Sequence, residues 1–270
     1  MSQRLIRWGV YVLIAIGFAI ACVFLSNWQF ERNETRAAQI ELVEQNYDAE
    51  PVPLADLVGE DGALDPSDEW RPVTLQGEYL ADEQLLVRNR PHGGTSAFEV
   101  LVPFRDADGR VFIVDRGWVP PGDGDAPDSV PAPPEGEAEV TVRLRPGEQL
   151  PASGRGAPEG QVPTINLPAI AKLVDGDVIA GVYGRVISES PAGEGTLGGF
   201  DSPTDDPGPH LSYAIQWILF ALMGFIFIGY IIRTEIVKHR EEVEGVPSPV
   251  KVSRRKDHDA DVEDELLDVR

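Results

Sequence analysis

Two long runs without a charged side chain constrain this chain more than any other feature. Trp8 to Leu25 is 18 residues without Asp, Glu, Lys or Arg, and Ala214 to Ile232 is 19 residues whose one strongly polar side chain is Gln216. A hydrocarbon core about 30 Å thick needs about 20 helical residues to cross it. A helix of that length on a water-soluble domain would carry a polar face, and neither run has one. Both are therefore predicted to be transmembrane helices, spanning 8–25 and 214–232.

Basic residues set the expected orientation. Arg4 and Arg7 precede the first run, and Arg233, Lys238 and Arg240 follow the second. Positive flanks mark the cytoplasmic side, so both termini are expected in the cytoplasm of a multi-pass protein of the cell (plasma) membrane. The cytoplasmic parts are 1–7 and 233–270, and the segment 26–213 lies outside. That segment carries 13 Lys/Arg against 34 Asp/Glu, which leaves nearly all of the chain's −22 on one side. Such a field repels nucleic acid and offers no patch for anionic lipid, so neither is an expected partner beyond the bilayer itself. The segment after Glu241 has Pro247, Pro249 and mixed charge runs such as Arg254-Arg255-Lys256. It reads as a mostly disordered acidic tail, too short for a kinase or a nucleotide-binding domain.

Cys22 is the one cysteine. The outer segment therefore has no disulfide, no thiol chemistry and no CxxCH haem attachment. Ala19-Ile20-Ala21-Cys22 also has the small-x-small form of a signal-peptidase site. The apolar run continues through Val23-Phe24-Leu25 and meets Trp28, an interfacial anchor, so the helix is expected to be retained.

Past the first run, Asn33 to Asn46 is charged and amphipathic and extends the helix outward. Residues 47–67 hold Pro51, Pro53, Gly59, Gly62 and Pro66, which is loop chemistry. Then the period becomes two. Alternating stretches at 72–79, 84–90, 98–103, 110–114, 138–145 and 178–188 read as strands. His92-Gly93-Gly94-Thr95 and Asp106-Ala107-Asp108-Gly109 read as turns between them. Residues 120–136 are a solvated excursion, 167–174 a short helix, and 189–209 a Gly/Pro/Asp linker leading to the second run. The fold expected is a membrane protein with two transmembrane α-helices and a small extracytoplasmic antiparallel β domain. Its β core covers about 70–190, as a barrel or sandwich, α+β overall.

No GxSxG, HExxH, P-loop or CxxC is present, and no motif sets a nucleophile, base and electrophile together, so no enzyme is expected. His92 reads as a solvated turn residue, and His239 and His258 lie beyond the second run. His210 stands apart because Tyr213, Ala214 and Trp217 follow at helical spacings of three, four and seven. Pro209 is suited to open that helix, since its missing N–H costs nothing there. At the matching depth the first run ends in Trp28, Gln29 and Arg32. Side by side, the two helices would gather an imidazole, two indoles, a phenol and a guanidinium. That set suits a planar, anionic metallomacrocycle, with His210 as the metal ligand. The same residue types also form the aromatic belt of ordinary membrane helices, and residue types alone leave both readings open.

Five motifs occur in one order between the two runs. They are Trp28-Gln29-Phe30-Glu31-Arg32, Gly77-Glu78-Tyr79, the LLVRNR stretch 85–90, Arg116-Gly117-Trp118-Val119-Pro120, and His210 to Trp217. The set resembles the Surfeit locus protein 1 family of cytochrome c oxidase assembly factors. Glu31 and Glu34 stand where family members often carry a basic cluster. The resemblance implies a chaperone-like role in the respiratory chain: binding or handing over haem a while subunit I of the oxidase matures. It implies haem contacts at His210 and Trp217. A scaffold that stabilises oxidase subunits without touching haem, and an extracytoplasmic sensor, are the alternatives. Arg116 and Trp118 are left open between packing and partner contact, and Gly117 is expected to permit a bend.

Overall fold

The computed structural model describes residues 2–124, 126–154 and 156–245, apart from the side chains of Ser2, Arg4 and Glu244. The expected acidic tail beyond Gly245 lies outside the described residues. The chain divides into a helical unit, Met1–Asn33 with the segment from Gly208 on, and a β unit, Glu34–Pro207.

Helix α1 runs Ser2–Asn46 without a break, so the amphipathic stretch does continue the apolar helix. Helix α3 runs His210–Glu244, with Pro209 at its N-cap and Gly245 at its left-handed C-cap. Both are long and apolar enough to cross a membrane. In the helical unit they pack along one stripe each. On α1 the buried positions are Ala15, Cys22 and Ser26, and on α3 the fully buried one is Ala214. A methyl group on Gly224 would stand 3.1 Å from the Phe18 ring. Small residues at the contact let two backbones approach where lipid gives no hydrophobic drive for association. The outward faces carry Leu13, Phe24 and Ile226, each at least two-thirds exposed. Cys22, 1% exposed, faces this contact.

The β unit is a mixed sheet, not the purely antiparallel one expected. Its strands are β1 Val52–Pro53, β2 Pro72–Tyr79, β3 Leu85–His92, β4 Thr95–Asp106, β5 Arg110–Val119, β6 Glu137–Pro146, β7 Gln161–Val162 and β8 Asp177–Ser190. Neighbours run β1-β2-β6-β8-β5-β4-β3-β7, and β2 also pairs with β4. The path β2-β6-β8-β5-β4 thus returns to β2. Three pairings are parallel: β1 with β2, β3 with β7, and β5 with β8. Alternation marks a strand but not the direction of its partner. The long connection from β5 to β8 has room for the crossover that parallel pairing requires. At the return, Gly77 lies against β4 so closely that a Cβ there would sit 2.0 Å from the Arg105 carbonyl oxygen. Glycine is what permits that crossing.

Strands β4 and β5 are buried almost throughout because each serves two cores. Val100, Val102, Phe104, Phe112 and Val114 face one apolar cluster. Leu101, Val111 and Ile113 face the other, together with Leu167 and Ile170 of the short helix α2, Leu167–Ile170. Helix α2 is half the expected length, capped by the Asn166 side chain, which accepts from the Ala169 N–H at 3.1 Å. At the far end of α1, buried Asn46 donates to the carbonyls of Ser67 and Glu69. Arg143 of β6 donates to the Tyr47 carbonyl and lies 3.5 Å over the Tyr47 ring.

Candidate functional site

The mouth of the helix pair places one pair of the expected site residues in contact. His210 Nδ1 stands 3.0 Å from Gln29 Oε1. One turn further on, Ser26 Oγ donates to the Ala214 carbonyl at 3.0 Å. Ala214, fully buried, is therefore where the helices touch. Because an amide oxygen only accepts, the 3.0 Å contact calls for a proton on Nδ1. That tautomer leaves the lone pair on Nε2. Gly208, at φ 70°, has no side chain to cover that edge: a Cβ there would lie 3.7 Å from Nε2.

The other expected residues are not gathered around the imidazole. Trp28 is half exposed, and the Arg32 guanidinium lies 5.7 Å over the Trp28 ring of its own helix. Tyr213 is also half exposed. Trp217 is half-buried and meets Phe220 edge-on, with ring centroids 5.7 Å apart. A single imidazole beside apolar and aromatic surface would suit a metal-bearing group that needs one nitrogen from the protein. It does not fit a bare ion that needs three or four protein ligands. Among the described residues no three His, Cys, Asp or Glu side chains come together as such a set.

The strand motifs do separate work. Arg116, 7% exposed, makes a two-pronged pair with Glu189 of β8 at 2.7 and 2.9 Å. Tyr79 donates to the same carboxylate at 2.6 Å. Burial and the neighbouring Glu189 charge push the Tyr79 hydroxyl far above its ordinary range. Arg116 is thus a structural pin between β5, β2 and β8. Trp118 forms a two-way backbone bridge with Gly198, and its indole N–H donates to the Gly199 carbonyl. Gly117, at φ 137°, is approached so closely that a Cβ would lie 2.6 Å from the Gly198 oxygen. The linker after β8 is accordingly held against β5. It is held again at Arg36, which donates to the carbonyls of Thr204 and Asp206.

A buried ionic cluster in the β unit has no counterpart among the sequence expectations. His92 is not a solvated turn residue: its ring stacks on Trp118 at 5.2 Å and 3°, and Nε2 lies 3.1 Å from Glu99. Glu99, 1% exposed, also accepts from Arg90 Nε at 2.5 Å. Arg90 forks onto Glu148. Burial raises the Glu148 carboxyl, but the Arg90 hydrogen bonds and the Ile165 N–H outweigh it and leave it low. Asp115 is fully buried, and neither of its oxygens makes a hydrogen bond of ordinary geometry among the described residues, although the Gly117 N–H, in a looser contact, favours its ionised form. Burial first, then the Glu99 charge, push its carboxyl well above the carboxylate range, with a weaker opposing pull from Arg185 at 3.8 Å. Arg185 in turn lies 4.7 Å over Phe200 of the linker. The signal available in the sequence was a charge inside an apolar strand, Glu99 in FEVLVP and Asp115 in VFIVD.

Two helices long and apolar enough to cross a membrane flank a mixed β unit in the chain, with His210 at the second helix's start, and that order defines a candidate membrane protein with a β unit between its helices. The SURF1 family model matches residues 16–222, and the chain belongs to that family. It is 37% identical over 248 residues to SURF1-like proteins of Mycobacterium tuberculosis and Mycobacterium bovis, with 90% of each chain covered. It is 29% identical over 121 residues to the cytochrome oxidase assembly protein SHY1 of Saccharomyces cerevisiae, covering 44% of this chain and 31% of the yeast one.

Proposed function

We propose that this chain is a membrane assembly factor for haem–copper cytochrome oxidase, and that it holds haem a as cargo at the mouth of its helix pair. Family membership and the name of the yeast relative support the first part. The second is supported by one observation: His210 Nδ1 lies 3.0 Å from Gln29 Oε1, a contact in which a proton on Nδ1 leaves Nε2 to face a ligand. A metal-bound histidine normally has its other nitrogen held in this way, which orients the ring and raises its basicity. Trp217, seven residues on along α3, would supply aromatic surface, and Arg32 of α1 a cation for a propionate. The β unit then stands outside the membrane, with both chain ends in the cytoplasm. The partners are oxidase subunits, subunit I first among them, because it is the haem-accepting one.

Replacing His210 by Ala, in cells that make haem A, tests the cargo reading. The expected result is a loss of the haem that co-purifies with the detergent-extracted protein. Unchanged haem content would remove the ligand role. It would leave the scaffold reading, in which the β unit steadies oxidase subunits without haem.

A further inference from the structure

Local structure alone does not require the bond between Ser26 and Ala214. Ser26 is 3% exposed, and its hydroxyl donates at 3.0 Å to a carbonyl on the other helix. A serine inside a helix can satisfy itself instead on the carbonyl four residues back in its own helix. The Ala214 carbonyl has two lone pairs, so it accepts from Ser26 without giving up its own helical bond. The hydroxyl is thus spent on joining α1 to α3.

Positions that rise along α1 meet positions that fall along α3. Phe18 lies beside Gly224, Ser26 beside Ala214 and Gln29 beside His210, which is one antiparallel register. Elsewhere on the contact, Ala15 and Cys22 offer small apolar surface. In lipid such surface gives no hydrophobic drive and does not tell one turn from the next. A slip of one turn, about 5.4 Å, would carry Gln29 from the level of His210 to that of Ala214. One polar contact on an apolar helix seam is enough to select a register. Ser26 and Gln29 are three residues apart and His210 and Ala214 four, so each pair shares one face of its helix. The turn that Ser26 holds is therefore the turn next to the imidazole.

We infer that Ser26 is a positioning residue for the candidate haem site. Its hydroxyl fixes the register and rotation of α3 against α1, and with them the contact that holds the His210 ring. It acts through Gln29 and does not itself touch the cargo. Its purpose rests on the haem reading above, but the placing of the ring can be measured with no haem present.

The test uses the full-length protein in lipid bilayers, with isotope-labelled histidine read by nitrogen NMR in mildly alkaline buffer without haem. Signals of His210 are assigned by their loss in His210→Ala. The parent should show one dominant neutral tautomer at His210, with the proton on Nδ1. Ser26→Ala removes the hydroxyl and keeps a small side chain, so the helices still pack. Both tautomers should then become comparably populated, and affinity for haem A in a separate titration should fall several-fold. Cys22→Ala is the control. It alters a buried side chain on the same stripe, one whose thiol makes no hydrogen bond to α3 among the described residues, and should leave both readouts at the parent's values. A His210 tautomer unchanged in Ser26→Ala, or disturbed equally in Cys22→Ala, would overturn the inference. The expected tautomer shift in a protein that binds no haem A would uphold the positioning role and remove the haem reading alone.

Discussion

Gln29 and His210 are 181 positions apart in the chain, yet their side chains meet at 3.0 Å. Their contact turns a histidine at a helix start into an oriented one. An unheld ring samples both tautomers and several rotamers, whereas this ring has one nitrogen occupied and one bare.

The first prediction follows from that contact. Gln29→Leu removes the acceptor and keeps the bulk, so the imidazole loses its fixed tautomer. Haem affinity of the purified protein should fall roughly 10- to 100-fold, the range seen when an outer partner of a ligating histidine is lost. Gln29→Glu keeps an acceptor for Nδ1–H and should retain most of the binding. Titration with haem A, followed by absorption, reads both variants. If Gln29→Leu binds as tightly as the parent, the contact has no part in ligation.

Arg116 and Glu189 carry the second. The pair is buried, with side chains 3% and 12% exposed, and Tyr79 shares the carboxylate. Taking away one member leaves the other charge without compensation, which costs about 3–5 kcal/mol. Glu189→Gln should destabilise by that order in urea unfolding of the detergent-solubilised protein. Tyr79→Phe should cost about 1.5–3 kcal/mol, the value of a hydrogen bond to a charged group. Because all three groups share one network, the double variant should cost less than the sum of the two.

Much of this architecture was legible, and the limits of legibility have physical causes. The two apolar helices, the outward extension of α1, and the six main strands follow from periods of 3.6 and 2. The start of α3 followed from Pro209. The parallel pairing of β5 with β8 did not, since a strand's side-chain pattern is the same for either partner direction. Asp115 and Glu99 each stood out only as a lone charge in an apolar strand, and because β4 and β5 are buried on both faces, no alternation told whether that charge pointed to solvent or to a core. At the helix mouth, residue type and depth put His210 and Gln29 in one candidate set, and the structure has them in contact. The outward turn of Trp28 and Tyr213 depends on the helix rotation that Ser26 and Ala214 set, and no spacing rule encodes it.

A third prediction concerns the linker. Gly117 must be glycine for two reasons, its φ of 137° and the Gly198 oxygen 2.6 Å from where a Cβ would stand. Gly117→Ala should break the Trp118–Gly198 bridge while leaving the apolar cores intact. Hydrogen exchange at the Gly198 amide should rise sharply, and proteolysis within 197–203 should quicken. Protection at Gly198 equal to the parent's would show that the bridge does not depend on the glycine.

The last prediction is a pH dependence. The folded Asp115 carboxyl is raised well above its ordinary value of 3.8, mainly by burial and then by the Glu99 charge. Between the unfolded and the folded pKa, the folded chain holds a proton that the unfolded chain has released. Stability from this group is therefore complete below the ordinary carboxylate pKa and is lost as pH rises through the raised one. Glu148 works in the other direction, since its folded pKa is lowered and its contribution disappears in acid. Asp115→Asn separates the two. Asparagine keeps the shape, has no charge to desolvate, and leaves Glu148 as it was. The difference in unfolding free energy between parent and variant should then move in the variant's favour as pH rises from the ordinary carboxylate pKa, and level off above the folded one. Arg185 opposes this: at 3.8 Å from Asp115 it favours the ionised form and loses that attraction in the variant. Burial is the larger effect, so the variant should be the more stable protein at neutral pH. A variant less stable than the parent at neutral pH, with a gap that widens upward, would mean that Asp115 is ionised in the fold and that Arg185 outweighs its burial.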